Sequence, residues 1–145
     1  MANRTDRKDY REDLGVVLSA ALTGAGKPAQ AFIDHYPDDA EFDGQSPMVC
    51  LVSAGSEQMP KRSLVGKFYK HFFNILVFVA RDDPNSEDSL DNCYKTIAET
   101  VEANLSTSNW DKLDIEGRSF IDYVTSEGEP FWVETIPVSL EGLSE

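Results

Sequence analysis

The chain has 145 residues and a formal net charge of −13, with 26 acidic and 13 basic residues. This length fits one domain, and 41% apolar with 27% charged residues is typical of a folded globular protein rather than a disordered one. No apolar run reaches the roughly 18–20 residues of a membrane span, and the charged N-terminus lacks the apolar core of a secretory signal. The sequence therefore predicts a single domain over residues 1–145 that folds in a cytoplasm, without a membrane partner.

The first half of the chain predicts one helix and two strands. Asp9 to Leu22 carries apolar residues at helical spacing, namely Leu14, Val17, Leu18 and Ala21, and Gly24 follows where a helix end favours a left-handed residue. Two loops broken by glycine and proline come next. Met48 to Ser53 then reads as a short strand, and Lys67 to Ala80 as a long one.

The long strand is unusual in both its length and its pattern. In its first half, aromatic side chains are mixed with basic and polar ones. Ile75 to Ala80, in contrast, is apolar on both faces, which predicts that this end is covered on both sides. At about 3.3 Å per residue it would run roughly 46 Å, against the usual five or six residues of a strand. Such a strand bends or projects. We expect projection, as one arm of a hairpin over residues 54–72.

The second half predicts a long helix and a closing hairpin. Ser86 to Leu105 forms the helix, with one apolar stripe made by Leu90, Tyr94, Ile97, Val101 and Leu105. After a loop, STSNWDKLD, strands follow at Ser119 to Ser126 and Phe131 to Leu140, and Pro137 predicts that the last strand lies at an edge or a bulge. The order α-β-β-α-β-β indicates an α+β fold, in which the N-terminal helix and the long helix pack on a mainly antiparallel sheet.

Local motifs indicate no catalytic, cofactor or metal site. GAGKP, starting at Gly24, lacks the glycine spacing, the hydroxyl and the preceding strand of a phosphate loop. The stretch from Asp39 to Gly44 is similar to the start of a calcium loop, but its twelfth position is Cys50. Cys50 and Cys93 share no metal-ligand spacing with the two histidines, and we expect both to be free thiols. The interpretation is a protein that is not an enzyme and has no cofactor.

Charge is distributed unevenly along the chain. Residues 1–81 hold 10 acidic and 10 basic residues, whereas residues 82–145 hold 16 and 3, so the second part carries the whole −13. Between residues 58 and 81 the sequence has no acid and contains Lys61, Arg62, Lys67, Lys70 and Arg81. These bases either contact a partner or act as gatekeepers that keep an aggregation-prone strand soluble. We predict the first, with Lys61, Arg62, Lys67 and Lys70 in a subunit or partner interface.

Trp110 is a further candidate for this interface. It lies in the polar loop between the long helix and the closing hairpin, among serine, asparagine and aspartate residues. Most tryptophans pack in a core, but a tryptophan in such surroundings is the one in this chain that we expect to be partly exposed and to anchor a partner.

The layout resembles the tail terminator proteins of long-tailed bacteriophages, which include the minor tail protein U type. The likeness lies in the order of elements, in the strand after a proline-bearing loop (SPMVCLVSAG), and in the endings SFIDYVTS and FWVETIPVSLEG. It extends over nearly the whole chain. It implies a hexameric ring of identical subunits that caps the tail tube and joins it to the head. The implied partners are the tail tube protein and a head-completion or neck protein, and the implied location is the virion, after assembly in the host cytoplasm.

A ring is consistent with the uneven charge, because head-to-tail contact brings two different patches of one protein together. Acids that face the central hole would repel phosphates and let DNA pass through the lumen without specific binding. The alternative is a small acidic decoy or regulatory protein that occupies the nucleic-acid site of a host protein. A decoy would act as a monomer or dimer with its carboxylates on an outer face.

Overall fold

A computed structural model describes residues 7–38, 46–63, 66–126 and 128–144. In chain order the elements are α1 (Arg7–Leu22), β1 (Ala31–Ile33), β2 (Met48–Ser63), β3 (Gly66–Ala80), α2 (Ser86–Ala103), β4 (Lys112–Ile115), β5 (Phe120–Ser126) and β6 (Glu129–Ser144). The predicted α+β class with a mainly antiparallel sheet is confirmed. The predicted order α-β-β-α-β-β is wrong, because it lacks β1 and β4, two strands too short to show an alternating pattern.

Six strands form one sheet in the order β1-β2-β3-β6-β4, with β5 also paired to β6. All pairs are antiparallel except β1 with β2. β4 and β5 share one side of β6, and Pro137 lies where the partner changes from β5 to β4. Its carbonyl accepts the Glu116 N–H at 2.8 Å, so the missing N–H of Pro137 faces this break. Of the two predicted settings for Pro137, an edge or a bulge, the edge is wrong, since β6 is a central strand; Pro137 lies instead at an interruption in the pairing of β6.

Both helices pack on one face of the sheet. α1 buries Tyr10, Leu14, Leu18 and Leu22. Of the predicted stripe, Leu14 and Leu18 are buried and Val17 packs against the core, whereas Ala21 is only partly buried. α2 buries Leu90, Cys93, Ile97 and Val101 against Ile75, Val77 and Val79 of β3, which confirms the predicted packing of this helix. The helix ends at Ala103, and Leu105 beyond it is exposed rather than part of the stripe.

The opposite face of the sheet has a smaller apolar cluster. It contains Met48, Cys50, Leu76, Phe78, Phe131 and Val133. Tyr36 meets Phe78 edge-on there, with ring centroids 6.3 Å apart. β3 alternates between partly exposed and buried residues from Lys70 to Asn74 and is buried from Ile75 to Val79, as its sequence predicts, whereas Ala80 is partly exposed. Cys50 and Cys93 lie in different clusters on opposite faces, and both are free thiols, as predicted.

The hairpin of β2 and β3 is longer than the sequence indicates. β2 continues ten residues past its predicted end at Ser53, and the two strands pair as far as Ser63 and Gly66. β6 pairs with β3 over the same stretch, as far as Lys67 with Ser144. Along the hairpin β3 thus has a neighbour on each side, β2 and β6, and the free edge of the hairpin belongs to β2. The projection of residues 54–72 as an arm stays a prediction.

Candidate interaction surface

Lys70 lies on the sheet face opposite the helices and is already paired within its own chain. Its Nζ is 2.9 Å from Oε1 of Glu116, which follows β4. Hydrogen bonding to Glu116 raises the pKa of Lys70, and the nearby charges of Glu116, Glu141 and Glu57 act in the same direction. The ammonium also lies 5.5 Å from the centre of the Phe72 ring. Lys70 therefore joins the basic hairpin to the acidic second half inside one subunit.

Glu116 is the centre of this contact. It accepts a hydrogen bond from Ser139 Oγ at 2.5 Å, and that bond is the largest cause of its lowered pKa, followed by the hydrogen bond from Lys70. The carboxylate thus stays ionised and ties β3 and β6 to the segment after β4. Nearby, Lys112 Nζ lies 3.2 Å from Asp114 Oδ2 and 4.0 Å from Glu141 Oε2. The arrangement is a cross-strand charge network that fixes the sheet.

Arg81, at the other end of β3, is also occupied within the chain. Its guanidinium lies 4.9 Å from the centre of the Tyr123 ring and 5.2 Å from that of Trp132. Its backbone N–H donates to the Pro130 carbonyl at 3.1 Å. Stacking on two aromatic rings is a favourable setting for a guanidinium. Arg81 therefore holds the β5–β6 hairpin against the end of β3.

The three other predicted basic residues lie towards the turn of the β2–β3 hairpin. Arg62 and Lys67 are backbone partners across the hairpin, and Lys61 precedes Arg62 in β2. Lys67 is exposed, and no carboxylate of the described residues forms an ion pair with it. Two like charges directly opposite each other in a sheet are destabilising unless a third group compensates them. This end of the hairpin is therefore the part of the basic segment that is suited to an external acidic partner.

Trp110 is a core residue, so the prediction that it is partly exposed is wrong. Its side chain is 3% exposed, and its Nε1–H donates to the Asn104 carbonyl at 2.8 Å. The indole is part of the helix-side core and attaches the loop after α2 to it. The polar neighbours that suggested exposure belong to the loop itself, in which the Thr107 N–H donates to the Trp110 carbonyl at 3.1 Å. Trp110 does not offer a surface anchor in this chain.

A cluster that the sequence did not reveal joins α1 to the hairpin. Ser56 Oγ lies 2.7 Å from Nδ1 of His71 and accepts a hydrogen bond from Arg7 at 2.9 Å. His71 is buried and stacks on Tyr69, so it is a packed histidine. Tyr10 donates its hydroxyl to the Leu143 carbonyl at 2.7 Å and packs 5.2 Å from the His71 ring.

The acidic half of the chain presents carboxylates on the outer side of α2. Exposed acids there are Glu87, Asp88, Asp91, Glu99 and Glu102, with Lys95 as the only base of the helix. Among the described residues no three histidine, cysteine or acidic side chains are grouped to hold a metal ion. In the same ranges neither helix is long and apolar enough to cross a membrane. The helix thus gives one side of the molecule a negative surface.

Comparison with known proteins gives a likeness in fold to a solved structure. No protein-family model matches the chain, and no curated protein matches it. Among solved structures, a chain in the virion of the native gene transfer agent (GTA) particle superposes with a TM-score of 0.50 at 17% sequence identity. The alignment covers 92% of this chain and 91% of that chain. The likeness is one of fold. It extends over the whole domain rather than a local motif.

Proposed function

We propose that the chain is a structural protein of a phage-like virion and forms the ring that terminates the tail tube and joins it to the head. The observation that carries the proposal is the likeness in fold to a chain of the GTA virion, over nine-tenths of both chains. The layout that resembles tail terminators points to the same class of protein. The proposed location is the virion, and the proposed partners are copies of the chain, the tail tube protein and a neck protein.

The charge distribution supports a head-to-tail ring. The tip of the β2–β3 hairpin is basic through Lys61, Arg62 and Lys67, whereas the second half of the chain carries the net negative charge and exposes acids both on α2 and beside β5. Two unlike patches on one protein generate a ring if the rotation between copies closes. Lys70 and Arg81, which have partners within the chain, belong to the fold of the subunit instead. Carboxylates facing the central hole would repel DNA phosphates, so that the genome passes without binding.

Charge reversal at the hairpin tip tests this proposal. Arg62→Glu with Lys67→Glu keeps two like charges opposite each other, so the hairpin itself loses little, but it reverses the sign presented to a neighbour. Each exposed contact contributes no more than about 1 kcal/mol, so the double change is needed for a clear effect. We expect a smaller fraction of rings by mass photometry, and added salt should have the same effect on the unmodified protein. In infected cells, tails should have uncontrolled length or fail to join heads.

A matched control is available. Lys8→Glu with Lys27→Glu changes the net charge by the same amount at two exposed positions outside both the hairpin and α2. This protein should assemble as the unmodified one does. Equal loss of rings in both double variants would mean that total charge, rather than the hairpin tip, governs assembly, and the proposed contact would be wrong.

The acidic outer side of α2 favours a second candidate function, an acidic decoy for a nucleic-acid-binding protein. A row of exposed carboxylates carries negative charge, as the phosphates of a nucleic acid do, and can therefore occupy a site that binds phosphates. This candidate requires a monomer or dimer that binds a host nucleic-acid enzyme. Binding to such an enzyme, together with failure to assemble in the presence of tail tubes, would replace the ring proposal with the decoy.

A further inference from the structure

The outer edge of β5 combines exposed apolar side chains with an unpaired strand. β5 pairs with β6 on one side over all seven residues, and no described strand pairs with its other side. Phe120, Ile121 and Tyr123 are 52%, 55% and 50% exposed, and they make up three of the six large apolar side chains that are exposed among the described residues. Because neighbouring strand residues point to opposite faces, apolar surface is present on both faces of this edge.

β5 also lacks the features that normally protect an edge strand. Natural edges are shortened, bulged or charged, commonly with lysine or proline, so that they do not pair with another chain. β5 has a regular register, contains no proline and carries one charge, Asp122. β4, on the same side of β6, differs, because its Leu113 N–H already donates to the Leu105 carbonyl at 2.8 Å. β5 is thus the open part of this side of the sheet.

The opposite side of the sheet is open as well. β1 pairs only with residues 48–50 of β2, and past that point no described strand pairs with the outer edge of β2. Between two irregularities in its pairing with β3, β2 has a regular stretch, Gly55–Gln58. Ser56, Glu57 and Gln58 are exposed there. The basic tip of the hairpin follows directly.

We infer that β5 of one copy receives the β2 edge, at Gly55–Gln58, and the basic hairpin tip of the next copy. The inference rests on the proposed ring and names its contact. The two edges lie on opposite sides of one sheet, so that copies can add in one direction, which is the geometry of a head-to-tail ring. The acids next to the β5 edge, Asp122 and Glu129, are exposed and complement the basic tip. Pairing of β5 with itself would bring two acidic halves together instead.

Cysteine cross-linking tests the contact directly. The protein variants are Gln58→Cys and Ile121→Cys, and the native Cys50 and Cys93 are fully buried, so they do not compete. In a mixture of the two variants, assembled in the presence of tail tubes and then mildly oxidised, we expect a covalent dimer that contains one of each. Neither variant alone should cross-link. The double variant should give a ladder of covalent oligomers. Cross-linking of Ile121→Cys with itself would show that β5 pairs with β5 and would overturn the inference.

A second pair of variants separates the contact from the ring. Ile121→Lys places a positive charge where the basic tip docks, and we expect loss of rings with an unchanged melting curve, because this side chain is half exposed. Val16→Lys, at another exposed aliphatic residue on the outer side of α1, should assemble normally. Rings that form in Ile121→Lys, without cross-links in the cysteine mixture, would overturn the inference and leave the ring proposal standing. A protein that stays monomeric with tail tubes present would overturn both.

Discussion

Gly142 in β6 is required for space rather than for backbone conformation, and this gives a quantitative prediction. A Cβ built on Gly142 would overlap the hydroxyl of Tyr10 and lie 2.5 Å from its Cζ and 2.8 Å from its Cε1. Tyr10 is 2% exposed and hydrogen-bonded to the Leu143 carbonyl, so the ring has little freedom to move aside. We expect Gly142→Ala to cost about 2–4 kcal/mol, from overpacking of about 1–3 kcal/mol and a lost hydrogen bond of about 1 kcal/mol.

A double-mutant cycle measured by urea unfolding isolates this overlap. Tyr10→Ala alone removes a buried aromatic ring and should cost about 3–5 kcal/mol. Adding Gly142→Ala to Tyr10→Ala should cost nothing further, because the overlapping ring is gone. Gly15→Ala is the control, since its Cβ would lie no closer than 3.6 Å to any neighbour and alanine favours a helix by about 0.5–1 kcal/mol. Additive losses in the double variant would refute the packing of Tyr10 on Gly142.

Three further predictions concern the core, the thiols and the charge network. Ile97→Asp places an unpaired charge in the helix-side core and should abolish cooperative unfolding by circular dichroism, whereas native spectra would contradict the packing of α2. Cys50 and Cys93 should react with a thiol reagent in denaturant without prior reduction, and slowly when folded, because burial raises the pKa of Cys93 to about 11. Glu116 has a pKa below its usual value of 4.5, so its contribution to stability is present above that pH and is lost as the pH falls through the folded-state pKa. As the pH falls below about 4.5, the free energy of unfolding of Glu116→Gln should therefore decrease less than that of the unmodified protein. The difference should be no more than about 1 kcal/mol, because Glu116 and Lys70 are partly exposed.

The elements that the sequence predicted well are those whose burial determines their pattern. The α2 stripe and the two-faced end of β3 are both fixed by contact with the core, and both patterns extend over several residues. β1 and β4, of three and four residues, exist because β2 and β6 offer them an edge, which no local pattern can show. The part of β2 beyond Ser53 is similar, because a polar segment is held in a strand by pairing with β3.

The sequence predicted the basic charge of the candidate surface, but not which of its residues have partners within the chain. No acid lies near Lys70 in sequence, and its partner Glu116 reaches it only because β3 and β4 both flank β6. Trp110 was misjudged for the same reason, since its polar neighbours describe the loop, whereas the carbonyl of Asn104 and the core decide where the indole lies. The exposed edge of β5 became visible only when the sheet order showed that nothing described pairs with it.

The measurement that tests the central claim most directly is the mass of the assembled protein in the presence of purified tail tubes. We expect a ring of about six copies at the tube end, which dissociates as salt is raised and fails to form with Arg62→Glu and Lys67→Glu. A protein that remains monomeric with tubes present, at low salt and high concentration, would contradict the claim that this chain terminates a virion tail.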